Sequence, residues 1–344
     1  MLFRRQTRLL FLIFTLGCSP TQPPVVFTSE EFELRTDHFS QICAGTTSYM
    51  RSSVLHIQEQ LGVAPDEPIT YIWEPEFERY IELVGGTCGG IVAFGCARNS
   101  TVYSTSIPNT HEFVHAVANE YGSTHALLRE GLAVSLGGAQ RVEARIPCDN
   151  SYADILASGL NGNPDYGRAG KFAHFIIETY GIEKFVDLYR QAERDMAPET
   201  FIALIEGELG TSWSELTAHI DGCTPTSIDR EPFECFAATP IQWDDTSLID
   251  VRTQACHDST SIGLESSYRS IRTFDTTNTG TFHIEAMGDP GTVIRIQRCE
   301  NYNSQPTTLS PGQELTLEIT PGRYAIRHDS TSSPASSGVT FTRE

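Results

Sequence analysis

The sequence predicts an α+β domain, with a small N-terminal sheet and a mainly helical remainder, followed by a small all-β, sandwich-like domain. Three observations carry this. Residues 31–75 read strand, helix, strand. Apolar residues recur at three- and four-residue spacing from about 109 to 221. After Cys223 that periodicity stops and short alternating segments take over. A length of 344 residues exceeds what one hydrophobic core usually serves. Hydrophobic residues at 39% and aromatics at 10% are enough to build two. The expected boundaries are a leader over 1–17, a tether over 18–29, the α+β domain over 30–223 and the β domain over 224–344.

The leader is read from its charge pattern. Arg4, Arg5 and Arg8 precede an uncharged run from Leu9 to Gly17. A basic start and a short apolar run make a secretory signal. The run is shorter than the roughly 20 apolar residues a permanent spanning helix needs. Thr15-Leu16-Gly17-Cys18 follows. It resembles a bacterial lipobox with the characters of Thr15 and Leu16 exchanged. That resemblance implies lipidation of Cys18 and membrane attachment through it, with Ser-Pro-Thr-Gln-Pro-Pro as a flexible tether. The expected location is the bacterial cell envelope, lipid-anchored at the outer membrane or cell surface, with release outside the cell as the alternative.

Within the first domain, Phe32–Thr36 alternates as a strand. Ile42, Met50, Val54, Ile57 and Leu61 mark a helix, and Ile69–Trp73 is β-branched and aromatic. Residues 84–97 read as a Gly- and Cys-rich loop, and 101–105 as a short strand. Helices are expected over 166–180, 182–194, 198–207 and 212–220. In the second domain, alternation marks strands at 269–274, 281–285, 292–297, 314–319 and 323–327, while Ser330–Ser337 reads as a polar loop.

Acids outnumber bases 44 to 24, for a formal net charge of −20. Nucleic acid is therefore excluded as a partner, because phosphate binding needs clustered Lys and Arg. Docking on anionic lipid through a basic surface is disfavoured for the same reason. Nine cysteines divide into Cys18 and eight others. An even number in an exported chain implies disulfides. Locality suggests Cys88 with Cys96, Cys223 with Cys235 and Cys256 with Cys299, which leaves Cys43 with Cys148. No Cys-x-x-Cys pair supports a zinc ribbon.

The chemistry concentrates in His111-Glu112-Phe113-Val114-His115. On a helix, His111 and His115 stand on one face and can hold one metal ion. Glu112 then lies beside the metal, where a general base for water belongs. Asn109 or Thr110 offers an N-cap. A catalytic zinc needs a third protein ligand and an open position. Glu130 lies fifteen residues after His115, with Tyr121-Gly122-Ser123 as a turn between, so an antiparallel second helix can return it to the metal. His125 is the rival third ligand. Glu120 falls on the solvated side.

His111-Glu112-x-x-His115 followed by Glu130-Gly131-x-Ala133 resembles the gluzincin branch of zinc metallopeptidases, the thermolysin-like peptidase MA clan. Tyr166-Gly-Arg-Ala169-Gly170-Lys-Phe172 and Tyr180-Gly181-Ile-Glu-Lys184 are similar to stretches that follow the zinc site in many bacterial members, with Lys171 for the usual Ser. The metzincin pattern fails at Ala118 and Tyr121. The resemblance covers roughly 30–220. It implies a zincin-like catalytic domain, a zinc cofactor on His111, His115 and Glu130, Glu112 as general base, and a peptide or protein substrate. By position it offers Tyr166 as the oxyanion donor, with His174 as the alternative. The chain is expected to act as a monomer. The rival expectation is a non-catalytic zinc-binding surface lipoprotein. Trp73, Trp213 and Trp243 are expected to pack, and Glu30-Glu31 and Asp244-Asp245 to be solvated.

Overall fold

The computed structural model describes residues 21–88, 93–137, 152, 156, 166–220, 235, 238–243, 246–299 and 306–344. Cys18, Cys148, Cys223 and Asp244-Asp245 lie outside them. Among the described residues, no helix is long and apolar enough to cross a membrane.

The first sheet orders its strands β1-β2-β3-β5-β4: β1 (Val25–Thr28), β2 (Phe32–Arg35), β3 (Ile69–Trp73), β5 (Thr101–Ser104) and β4 (Gly95–Arg98). Strands β2, β3 and β5 run parallel, and β1 and β4 close the ends antiparallel. The parallel link from β2 to β3 needs a crossover, supplied by α1 (Thr46–Leu61). Its Met50, Val54, Ile57 and Leu61 cover Phe32, Leu34, Ile69, Tyr71 and Trp73 on one face of the sheet. Helix α2 (Phe77–Val84) covers the other face with Tyr80 and Val84 against Cys96. The expected loop over 84–97 therefore contains the last residue of α2 and the first three residues of β4. Four residues led by a glycine alternate too briefly to stand out in sequence.

Among the described residues six further named helices follow: α3 (Thr110–Ala118), α4 (Ala126–Gly137), α5 (Tyr166–Tyr180), α6 (Ile182–Gln191), α7 (Pro198–Leu209) and α8 (Trp213–Ile220). The last four match the periodicity to within three residues at each end. Helix α6 stops early because Ala192 is extended. Trp73 is fully buried, and Trp213 packs against Phe172 and Phe201, as expected. Glu31 is not solvated. It is buried, and the Arg51 guanidinium donates to both its oxygens at 2.8 and 2.9 Å.

The β domain is a two-sheet sandwich. One sheet orders β13 (Glu314–Ile319), β10 (Gly280–Gly288), β15 (Ala335–Arg343) and β7 (Ser247–Gln254). The other orders β12 (Thr307–Leu309), β11 (Thr292–Arg298), β14 (Gly322–Ser330), β9 (Ser267–Thr276) and β6 (Thr239–Pro240), with β8 (Ile262–Leu264) on β9. Phe274, Phe282, Ile284, Ile326, Val339 and Phe341 fill the space between the sheets. Trp243 packs there too, 5.0 Å from Phe274 and from Phe282. The expected polar loop over 330–337 ends in strand: Ala335, Ser336 and Ser337 begin β15 and pair with β7.

Three disulfides join described cysteines: Cys88–Cys96 as expected, Cys43–Cys256 and Cys235–Cys299. Cys256 pairs with Cys43 rather than with Cys299 because backbone pairing across the domains brings those two together, and Cys299 takes Cys235. The residues leading into α1 dock on β8. Ile42 bridges Leu264, and Cys43, Ala44 and Gly45 donate to the carbonyls of Gly263, Cys256 and Ser261 at 2.8–2.9 Å. Thr46 Oγ1 donates to Gly263 O at 3.0 Å. Cys256 is carried to Cys43 by that seam, 213 residues away in sequence. Disulfides are the mark of a chain that matures in an oxidising compartment.

Candidate metal centre

Helix α3 begins where β5 ends. Asn109 caps it: its Oδ1 accepts from the Glu112 amide at 3.3 Å, and its Nδ2 donates to Ser104 Oγ at 2.9 Å. The cap satisfies an amide that the first turn leaves without a helical partner, and it ties the helix to the strand. Phe113, Val114 and Val117 face the core. The opposite side of the helix carries His111 and His115, whose rings lie 4.8 Å apart. Their side chains are 11% and 14% exposed, enough to meet a ligand from solvent.

The chain reverses through a 3₁₀ turn at Asn119–Tyr121 and Gly122, whose φ of +87° suits glycine. Helix α4 then returns alongside α3. Thr110 Oγ1 donates to the Gly137 carbonyl. A Cβ at Gly137 would stand 2.6 Å from His111 Cα, so glycine permits the close approach. This contact places Glu130 between the histidines. Its Oε2 lies 3.1 Å from His115 Nε2 and 3.4 Å from His111 Nε2. The three ligand atoms all lie within 4.8 Å of one another.

The donor set suits a small divalent ion. Zinc holds nitrogen and oxygen about 2.0–2.1 Å away in a tetrahedron, which puts neighbouring donors roughly 3.3 Å apart. Both histidine–carboxylate separations match that edge length. Among the described residues His111, His115 and Glu130 are the one such group, and they could hold a metal ion.

Charge around Glu130 is arranged for the ionised form. Burial works to raise its pKa, but His115, His111 and the Arg129 guanidinium outweigh burial and hold it well below the usual carboxylate range. Arg129 donates to Oε1 from Nε at 2.9 Å and from Nη2 at 2.7 Å, which leaves Oε2 toward the histidines. Sequence reasoning missed Arg129, since an arginine beside a glutamate carries no periodic signal.

Glu112 is 8% exposed, and its carboxylate lies against the backbone of β4. A Cβ at Gly95 would come 2.5 Å from Glu112 Oε1 and 2.7 Å from Asn109 Nδ2. Gly95 was also missed, hidden in a segment that reads as loop. The Tyr166 ring stands 5.9 Å from the His111 ring at the start of α5. Burial, then the charges of Glu130 and Glu112, push its hydroxyl pKa up, so it remains a proton donor at neutral pH.

The rival residues lie elsewhere. His125 is buried before α4, where its Nδ1 accepts from the Leu127 amide at 3.3 Å and its ring stands 4.4 Å from that of Phe201. It does not join the metal-binding group. His174 Nε2 lies 3.4 Å from Glu178 Oε1, one helical turn along α5. Glu120 is exposed.

No protein-family model matches the sequence, and no curated protein matches it. Among solved structures, the chain is similar to PliG of Aeromonas hydrophila, a periplasmic inhibitor of g-type lysozyme. The two are 8% identical over 31% of this chain and 96% of that one, with a TM-score of 0.24. The pre-peptidase C-terminal domain of Bacillus anthracis collagenase is 9% identical over 31% of this chain and 94% of that one, at 0.23. Cobalt-containing HppE is 11% identical over 57% of this chain and 99% of that one, at 0.15. Likenesses at these scores carry no argument about activity or metal, so what the site does rests on its own geometry.

Proposed function

We propose that the chain is a zinc-dependent peptidase of the gluzincin type, with a zincin-like catalytic domain and a lipid anchor at Cys18. The observation that carries this is the convergence of His111, His115 and Glu130, whose ligand atoms all lie within 4.8 Å of one another, with Glu112 directly following His111 on the helix that carries both histidines. A purely structural metal site closes its coordination with a fourth protein ligand. Here the described residues supply three.

Zinc, when bound, supplies Lewis acidity toward a carbonyl oxygen and toward water. The chain's residues do the rest. Arg129 and the two helices hold the three ligands in place. Glu112 takes the proton of an attacking water and returns it to the leaving amine. The Tyr166 hydroxyl donates to the oxygen of the tetrahedral intermediate. Strand β4 is the outermost strand of the first sheet among the described residues, and it passes against Glu112. An extended peptide laid along that edge would run past the general base, which favours a peptide or protein substrate.

The test is to measure bound zinc and cleavage of a denatured-protein mixture for wild type and Glu112→Gln. Both should bind zinc, and the variant should cleave about 10²–10⁴-fold more slowly. Equal digests with zinc bound would leave a non-catalytic metal protein. The lipid anchor is tested separately: Cys18→Ser should release the protein from the membrane fraction.

A further inference from the structure

Strand β7 ends its sheet, and no described strand pairs with its outer edge. It is eight residues long. Its outward residues include Ile249 and Val251, 70% and 53% exposed, and no charged side chain. The outward side of the neighbouring β15 is flat. Gly338 faces Val251, and a Cβ there would meet Val251 Cγ2 at 2.7 Å and Met287 Cγ at 3.1 Å. The other edge strands are shorter or charged, β6 with only two residues among them. Strand β13 presents exposed Glu314 and Glu318, β12 has three residues, β1 has four, and β4 is four residues tied by Cys88–Cys96. Outward charge and shortness protect those edges, and β7 has neither; the charged residues it carries, Asp250 and Arg252, face inward.

We propose that β7 pairs with β7 of a second copy of this chain, antiparallel about a twofold axis at Val251, so that two sandwiches share one continuous sheet. The occupant is argued from the strand itself. Residues opposite one another must share a face, so the axis has to pass through a residue position. An axis at Asp250 sets aspartate against aspartate, and one at Arg252 sets arginine against arginine. The axis at Val251 sets Asp250 of each copy opposite Arg252 of the other. On the outer face it brings the two Val251 side chains together and sets Ile249 opposite Thr253. Opposite charges across strands stabilise and like charges destabilise, so the Val251 register is favoured over those centred on Asp250 and Arg252. Asp250 and Arg252 already lie on the same face, with Nε 3.4 Å from Oδ1. The acidic chains repel one another, so salt that screens this repulsion strengthens the pairing.

The experiment is sedimentation velocity on the oxidised chain lacking residues 1–20, at physiological salt, from micromolar to submillimolar concentration. The expected result is a concentration-dependent doubling of mass that Val251→Lys abolishes. The lysine sits at an exposed position, and circular dichroism checks that the fold is kept. The register is read by cross-linking. Val251→Cys should form a disulfide with its own copy under mild oxidation. Ile249→Cys should do so only when mixed with Thr253→Cys. A wild type that stays monomeric throughout overturns the proposal. So does a dimer that Val251→Lys leaves intact, or a covalent dimer formed by Ile249→Cys alone.

Discussion

At the scale of single residues, the metal centre depends on which atoms are free to ligate. Arg129 engages Oε1 of Glu130 twice, leaving Oε2 for the ion. Partners of this kind typically hold a factor of about 10–100 in metal affinity. Arg129→Met should weaken zinc by about that much, read by chelator competition. Glu130→Ala should lose the metal outright, and His125→Ala should keep it; the reverse pattern would move the site. His125 matters instead for acid stability. It is buried, its Nε2 has no hydrogen-bond partner among the described residues, and burial lowers its pKa. The folded chain thus holds it neutral where the unfolded chain protonates it. The sign follows: its contribution is full above the ordinary histidine pKa of about 6.5 and is lost as pH falls through the lower folded value. Urea midpoints on either side of that pH should show the loss, and His125→Phe should reduce it. Equal pH dependence in the two proteins would assign the acid lability to other groups.

At the scale of elements, helix proximity is set by glycines rather than by large apolar residues. A Cβ at Gly131 would run into the Ala169 carbonyl and stand 2.9 Å from Ala173 Cβ. Gly131→Ala should therefore push α4 from α5 and cost about 1–3 kcal/mol, measured by denaturant unfolding. An unchanged midpoint would mean that α5 gives way freely. The elements differ in how well the sequence shows them. Helices α5 to α8 are legible because three- and four-residue spacing persists over two turns or more. His111, Glu112, His115 and Glu130 are legible because the chemistry needs those residue types at that spacing. Strand β7 is not: its apolar Ile249 and Val251 face outward while Asp250, Arg252 and Gln254 face in, which inverts the usual alternation. Strand β4 and Arg129 are hidden for a related reason, since neither their length nor their pattern departs from that of a loop or a solvated helix face.

At the scale of the whole molecule, the two domains are one object. The seam from Ile42 to Thr46 along β8 is built of backbone hydrogen bonds, and Tyr49 of α1 packs with Ile262, Ile271 and Ala325 of the sandwich. The sandwich is therefore not a loose spacer beside the first domain. The Cys43–Cys256 pairing could not be read from sequence because it records this docking, and locality carries no information about docking. Replacing Cys43 and Cys256 together by Ala should cost about 2–5 kcal/mol, read as a fall in Tm of the oxidised protein. No change would mean that the non-covalent seam suffices. The same bond gives the chain an unusual relation to its own cleavage. Cys43–Cys256 encloses most of the first domain in a covalent ring, and Cys235–Cys299 overlaps that ring and extends it. A single backbone cut inside it, self-inflicted or foreign, opens the ring without freeing either end. Two fragments would stay one particle through dilution and denaturant, and would part only when a reductant reaches the sulfurs. Damage inside the ring would become a nick rather than a loss.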